Sequence, residues 1–188
     1  MTGESSLVDA GDVTRSAVLS PCGTYRYALR REWGPGGIVA FVLLNPSTAD
    51  DVHDDPTVRR CVGFARALGA GGVSLVNLFA FRATDPADLW AYPGPVTGPC
   101  GDHFIVGAAN DGYIVKEVRS ADTVICAWGA PTCPKAMRAF VHRRAREVSG
   151  MLVGEGVALH ALRRTAKGWP GHPLYLPGDL RPVPWVCP

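Results

Sequence analysis

Four apolar runs in this 188-residue sequence end in candidate site residues, and three of them end in proton-handling or anion-binding side chains. Behind residues 38–44 stand Asn45, Pro46, Ser47 and Thr48, then Asp50, Asp51, His53, Asp54 and Asp55. Asn45 can orient a water or a carbonyl, because its amide carries both a donor and an acceptor. Asp50 or Asp54 can take a proton as a base. Asp55 precedes Pro56 and reads as a helix cap; the structural alternative makes the whole acidic stretch turns and caps. The run 73–78 contains Asn77 and is followed by Phe79, Phe81, Arg82 and Asp85. Asn77 can read the edge of a planar base, and Phe79 or Phe81 can stack on it. Otherwise a phenylalanine is core and Arg82 pairs with Asp85. Behind 123–127, Trp128 can wall a cleft and Gly129 permits a tight exit from a strand. Behind 157–162 come Arg163, Arg164, Lys167 and His172, a cationic edge suited to an anion. Histidine titrates near neutrality and can donate to a developing negative charge. His53, His103, His142 and His160 carry weaker signals: loop positions, a basic helix face and a strand.

The elements that must position these groups follow from hydrophobic period. The four runs are nearly continuous rather than alternating, which suits strands buried on both faces. Residues 56–68 place Val58, Cys61, Val62, Ala65 and Leu68 on one helical face. Residues 135–148 turn Met137, Phe140, Val141 and Val148 inward and Arg138, His142 and Arg146 outward. A less regular helix falls within 102–120. Strands alternating with helices predict a parallel four-stranded α/β sheet with helices on both faces. Ahead of it, 16–19 and 25–33 flank the turn Ser20-Pro21-Cys22-Gly23 and read as an antiparallel hairpin. In such sheets ligands bind beyond the carboxyl ends of the strands. The residues just described sit there.

Composition bounds the reading. The apolar share is 47% and the charged share 19%, which excludes a disordered chain. The length suits a single domain over 1–188. Residues 1–14 should fray, and 168–188 should pack as an ordered Pro/Gly-rich tail around Trp169, Tyr175 and Trp185. The 22 glycines and 16 prolines follow no collagen period, so they belong to turns and long loops. Net charge is only +2, but residues 131–167 hold 8 Lys/Arg against 2 Asp/Glu. A basic surface there is expected. Six cysteines (Cys22, Cys61, Cys100, Cys126, Cys133 and Cys187) form no C-x-x-C pair. Reduced thiols in a cytoplasmic protein are expected, with a metal or iron–sulfur site from Cys126 and Cys133 left open. No signal peptide or membrane-length apolar run is visible.

The stretches 43–50, 55–60, 76–86, Trp128-Gly129 and 172–176, in that order, resemble the bacterial and phage family called domain of unknown function 1643, over roughly residues 16–185. That name implies no activity. A more distant resemblance is to the uracil-DNA glycosylase superfamily. It rests on Asn45-Pro46 after the first parallel strand, Asn77 at the end of the second, and a late His172-Pro173. It implies a short parallel sheet between helix layers and a base flipped out of the nucleic-acid stack.

On that reading the protein hydrolyses the N-glycosidic bond of a damaged or modified base. Asn45 and Asp50 position the attacking water, and His172 stabilises charge on the departing base. Pro46, Ser47, Asn77, Phe79, Phe81, Arg82 and Trp128 surround the base, while Arg163, Arg164 and Lys167 hold phosphates. No cofactor or metal is expected, and the partner is DNA or a nucleotide, not a membrane. Alternatives are a nucleotide- or nucleoside-modifying enzyme of base metabolism, a non-catalytic module binding DNA or a modified base, and a Ser47–His172–Asp hydrolase. Ser47 lies outside the G-x-S-x-G elbow of such hydrolases.

Overall fold

The computed structural model describes residues 13–91, 104–130 and 133–188. Cys100, His103, Pro131 and most of the start expected to fray lie outside the described residues. Thr14 already belongs to a strand.

The near-continuous apolar runs form β3 (Ile38–Leu43), β4 (Gly72–Asn77), β5 (Thr123–Cys126) and β6 (Leu159–Ala161). They pair in parallel in the order β4-β3-β5-β6. The helices are α1 (Pro56–Ala67), α2 (Pro86–Ala91), α3 (Asn110–Arg119) and α4 (Arg138–Gly154). Alternation along β3 divides the core. Val39, Phe41 and Leu43 pack with Val58, Cys61, Phe64 and Ala65 of α1. Ala40 and Val42 pack with Ile114 and Val118 of α3 and Val141, Ala145 and Val148 of α4. Side chains that alternate across a strand thus feed two helix layers, one on each face.

The sheet is larger than the four strands expected. Among the described residues it has seven, and it is mixed. β1 (Thr14–Leu19) and β2 (Arg26–Glu32) form the anticipated hairpin, but β2 also pairs antiparallel with β4, from Leu29 opposite Leu75 to Glu32 opposite Gly72. The hairpin is therefore an extension of the sheet rather than a separate element. At the other edge β7 (Val183–Pro184) joins β6 antiparallel. A proline that cannot donate to the ladder suits this edge position. The tail is held by Trp185, whose indole N–H donates to the Gly168 carbonyl at 2.8 Å and whose ring meets Trp128 edge-on.

The helix boundaries follow local chemistry. Asp55 accepts from the Val58 N–H at 2.8 Å, and Pro56 occupies the first turn, where its missing N–H costs nothing. The helix expected over 135–148 opens with a single 3-10 turn, Lys135–Met137, and runs on to Gly154.

Two buried arginines of β2 secure the loop between β3 and α1. Arg31 donates through Nε to Asp54 Oδ1 at 2.8 Å, through Nη2 to the Asp50 carbonyl, and through Nη1 to the Arg30 carbonyl at 2.7 Å. Arg26 donates through Nη1 to the Ala49 carbonyl at 2.7 Å. Arg31 is 1% exposed, so removing its carboxylate partner strands a buried charge. Asp54→Ala should lower stability by about 3 kcal/mol in urea unfolding. Arg15→Ala, which deletes the outer and more exposed partner of the same carboxylate, should cost under about 1 kcal/mol. Equal costs would mean that the buried pair does not anchor the loop.

Candidate functional site

β4 lies on one side of β3 and β5 on the other, so the chain reverses its direction of sheet building between β3 and β5. Loops diverge at such a point and leave a crevice beyond the carboxyl ends. A cleft of about 540 Å³ opens there. Leu44, Asn45 and Ser47 line it after β3, Asp55 to Val58 at the start of α1, Trp128 to Ala130 after β5, and Arg163 to Thr165 after β6. The His172 segment also lines it. That volume suits a small-molecule or nucleotide ligand.

Asn45 is oriented by its neighbours. Its Nδ2 donates to the carbonyls of Pro46 at 3.1 Å and Ala83 at 3.0 Å. Both partners are acceptors, so the amide has one possible orientation and Oδ1 is the end left for a ligand or water. Pro46 itself is buried and does not line the cleft; its carbonyl also receives the Ala83 N–H at 2.9 Å. Ser47 lines the cleft, half-buried.

His172 caps a 3-10 turn, Pro173–Tyr175, by accepting the Leu174 N–H on Nδ1 at 3.3 Å. A neutral ring with Nδ1 as acceptor carries its hydrogen on Nε2. Burial disfavours the imidazolium and moves the pKa below its ordinary 6.5, with the Asp55 charge acting in the opposite direction. The ring is therefore neutral at pH 7, with Nε2 as its donor. Two features hold it. Arg60 of α1 donates to the carbonyls of Pro173 and Leu176, tying the segment to the helix. Gly129 has φ +76°, and a Cβ on it would stand 3.1 Å from the Cβ of His172. Glycine is required there both by the backbone and by the closeness of the histidine.

Seven of the expected residues do not line the cleft: Pro46, Asp50, Asn77, Phe79, Phe81, Arg82 and Lys167. Asp50 does not line the cleft; its Oδ1 accepts the Val52 and His53 N–H groups at 2.9 and 2.7 Å. Those bonds hold its carboxyl below the ordinary carboxylate range, and it caps the loop away from the cleft. The carboxylate that borders the cleft is Asp55, read from the sequence as only a cap. Asn77 ends β4 fully buried outside the cleft. Its carbonyl accepts from Asn110 Nδ2 at 3.0 Å, while the next carbonyl, Leu78, takes Asn110 and Arg144 Nε. α3 and α4 thus seal the end of β4. Phe79 is core, stacked on Phe140 and edge-on to Trp90. A base cannot reach a side chain with no exposed surface.

The remaining expected residues divide similarly. Phe81 packs among Tyr25 and Phe104, outside the cleft. Arg82 straps the loops by donating to the Gly23 and Thr48 carbonyls at 3.3 and 3.5 Å. Trp128 lines the cleft while 2% exposed. Arg163 and Arg164 line its rim, exposed, and Arg164 also donates to the Pro184 carbonyl. Lys167 lies outside the lining, close enough to His142 for its charge to act there. Five described cysteines are free thiols, with Cys61 and Cys126 buried.

Arg26 is the cleft residue that sequence reasoning missed. It is buried at the start of β2, yet borders the cleft. Burial brings its pKa down to about 10, against the raising effect of Asp55. Its Nε has no hydrogen-bond partner. The same is true of Trp128 Nε1 and Thr165 Oγ1, both on residues that line this cleft. The one sequence signal was an arginine set between two tyrosines, Tyr25 and Tyr27.

The fold and the site define an α/β protein with a ligand cleft at the switch point of a mixed sheet. Residues 26–174 match the model of the family described as Protein of unknown function (DUF1643), and the chain belongs to that family. No curated protein and no solved structure matches it.

Nitrogen-15 NMR of histidine-labelled protein should find His172 as the Nε2–H tautomer, titrating below pH 6.5. Gly129→Ala should shift that resonance and cost at least about 1 kcal/mol. An unmoved resonance would mean that Gly129 does not set the ring's position.

Proposed function

We propose that the protein hydrolyses the N-glycosidic bond of a base held in this cleft, with a DNA-borne modified or damaged base as substrate. The observation that carries the reading is that Asn45 and His172 both line one cleft, each held by its neighbours with opposite hydrogen-bonding ends left over. Asn45 presents an acceptor for a water hydrogen; His172 presents Nε2–H.

In the reaction a water oxygen bonds to the sugar carbon as the carbon–nitrogen bond breaks, and the bonding pair leaves with the base. Asn45 orients the water, and Asp55 is the carboxylate able to accept its proton. His172 donates to the negative charge growing on the base, the kind of pre-aimed donor that stabilises a transition state. Trp128 and Tyr175 offer apolar walls to a planar ring. Asn77 and Phe79 have no part, so base recognition falls to the residues of the cleft. Arg163 and Arg164 on the rim suit phosphates, and Lys167, Arg138 and Arg146 extend the positive charge around His142. The tautomer of His172 also weighs against the Ser47 hydrolase, since Nε2 bears a hydrogen and cannot take one from a serine.

Oligonucleotides carrying uracil, hypoxanthine, alkylated or hypermodified bases should yield alkali-labile abasic sites with one class of lesion. Asn45→Ala and His172→Ala should each reduce turnover by about 100-fold or more, with unchanged circular dichroism. Hydrolysis of free nucleotides alone would assign the cleft to base metabolism instead. No product from either substrate class would overturn the proposal.

A further inference from the structure

We infer that the cleft contains an anion subsite built on Arg26, and that it takes a phosphate group of the ligand. The inference rests on the nucleotide-cleft reading and adds what the ligand must carry.

Three arginines are buried among the described residues: Arg26, Arg31 and Arg144. A buried guanidinium is costly unless it has a counter-charge and its N–H groups are bonded. Arg31 has Asp54 at 2.8 Å. Arg144 has Asp111 and the Leu78 carbonyl. Arg26, among the described residues, has no carboxylate within ion-pair distance, although it is 2% exposed. It donates to one carbonyl, that of Ala49, and its Nε is unpartnered. The carboxylate acting most strongly on it is Asp55, which already caps α1 through Oδ1. Of the three, Arg26 is also the one that lines the cleft.

The other unpartnered buried atoms of the cleft favour the same ligand chemistry. Trp128 Nε1 can only donate, and the Thr165 hydroxyl can donate. Arg26, a buried guanidinium that borders the cleft without a carboxylate pair, calls for a negatively charged ligand rich in acceptor oxygens. Phosphate answers both needs, with several acceptor oxygens to share among donors. Arg163, exposed on the rim with no ion pair among the described residues, supplies further positive charge.

The test compares inorganic phosphate, common deoxynucleoside 5′-monophosphates and the matching nucleosides by calorimetry and thermal shift, at constant ionic strength. The monophosphates should bind at least ten-fold more tightly than the nucleosides, and phosphate should raise the melting temperature above that in chloride. Arg26→Gln should erase the difference while circular dichroism stays native. Thr165→Val, a milder change at the same cleft, should weaken monophosphate binding several-fold, and it keeps the test decisive if Arg26→Gln fails to fold. Equal affinity for nucleoside and nucleotide, or a preference that survives Arg26→Gln, would overturn the subsite. Phosphate-dependent binding without base release keeps the subsite and discards the hydrolytic reading; base release without a phosphate preference does the reverse.

Discussion

Arg26 and Arg31 of β2 grip three successive points of the loop between β3 and α1: the Ala49 carbonyl, the Asp50 carbonyl and the Asp54 carboxylate. Such a loop, exposed and rich in aspartate, would otherwise gain little from packing. Fixing it has two consequences. Upstream, Asn45 is set with its Nδ2 on two carbonyls. Downstream, Asp55 is placed to cap α1. The opposite wall depends on the same helix, because Arg60 of α1 holds the carbonyls around His172. One helix and one strand thereby set the spacing between the acceptor of Asn45 and the donor of His172.

The parallel core was legible because its strands are buried on both faces and so appear as unbroken apolar runs. The start of α1 was legible because Asp55-Pro56 is a local signal whose physics needs no distant partner. His172 could be singled out because a histidine between glycine and proline has no regular element to serve. What the sequence hid is set by partners far along the chain. The sealing of the end of β4 beside Asn77 depends on the Asn110 amide, 33 residues later, reaching the Asn77 main-chain carbonyl. The burial of Arg26 depends on the loop closing over β2, 23 residues on. Alternation within β2 shows which side chains share a face but not what covers that face. The hairpin's merger with β4 was hidden for the same reason, since no local pattern specifies an edge-to-edge pairing.

The cleft combines a neutral histidine, a caged asparagine and buried donors lacking partners. On residues of its lining, Arg26 Nε, Trp128 Nε1 and Thr165 Oγ1 have no hydrogen-bond partner, and each costs desolvation. Those costs are recovered when a ligand supplies acceptors. On the proposed reading the same donors orient the ligand, with the reactive bond between the two ends that Asn45 and His172 present. Specificity on this account comes from the cleft walls at β3, β5 and β6, not from the sealed end of β4.

The most direct test of this account is the nitrogen-15 spectrum of histidine-labelled protein titrated with a base-bearing oligonucleotide. The His172 Nε2–H resonance should move on saturation, as the donor meets the base, while His53 and His160 stay in place. A spectrum in which only His142, on the basic face of α4, responds would place the nucleic acid on the surface and outside the cleft, and would contradict the central claim.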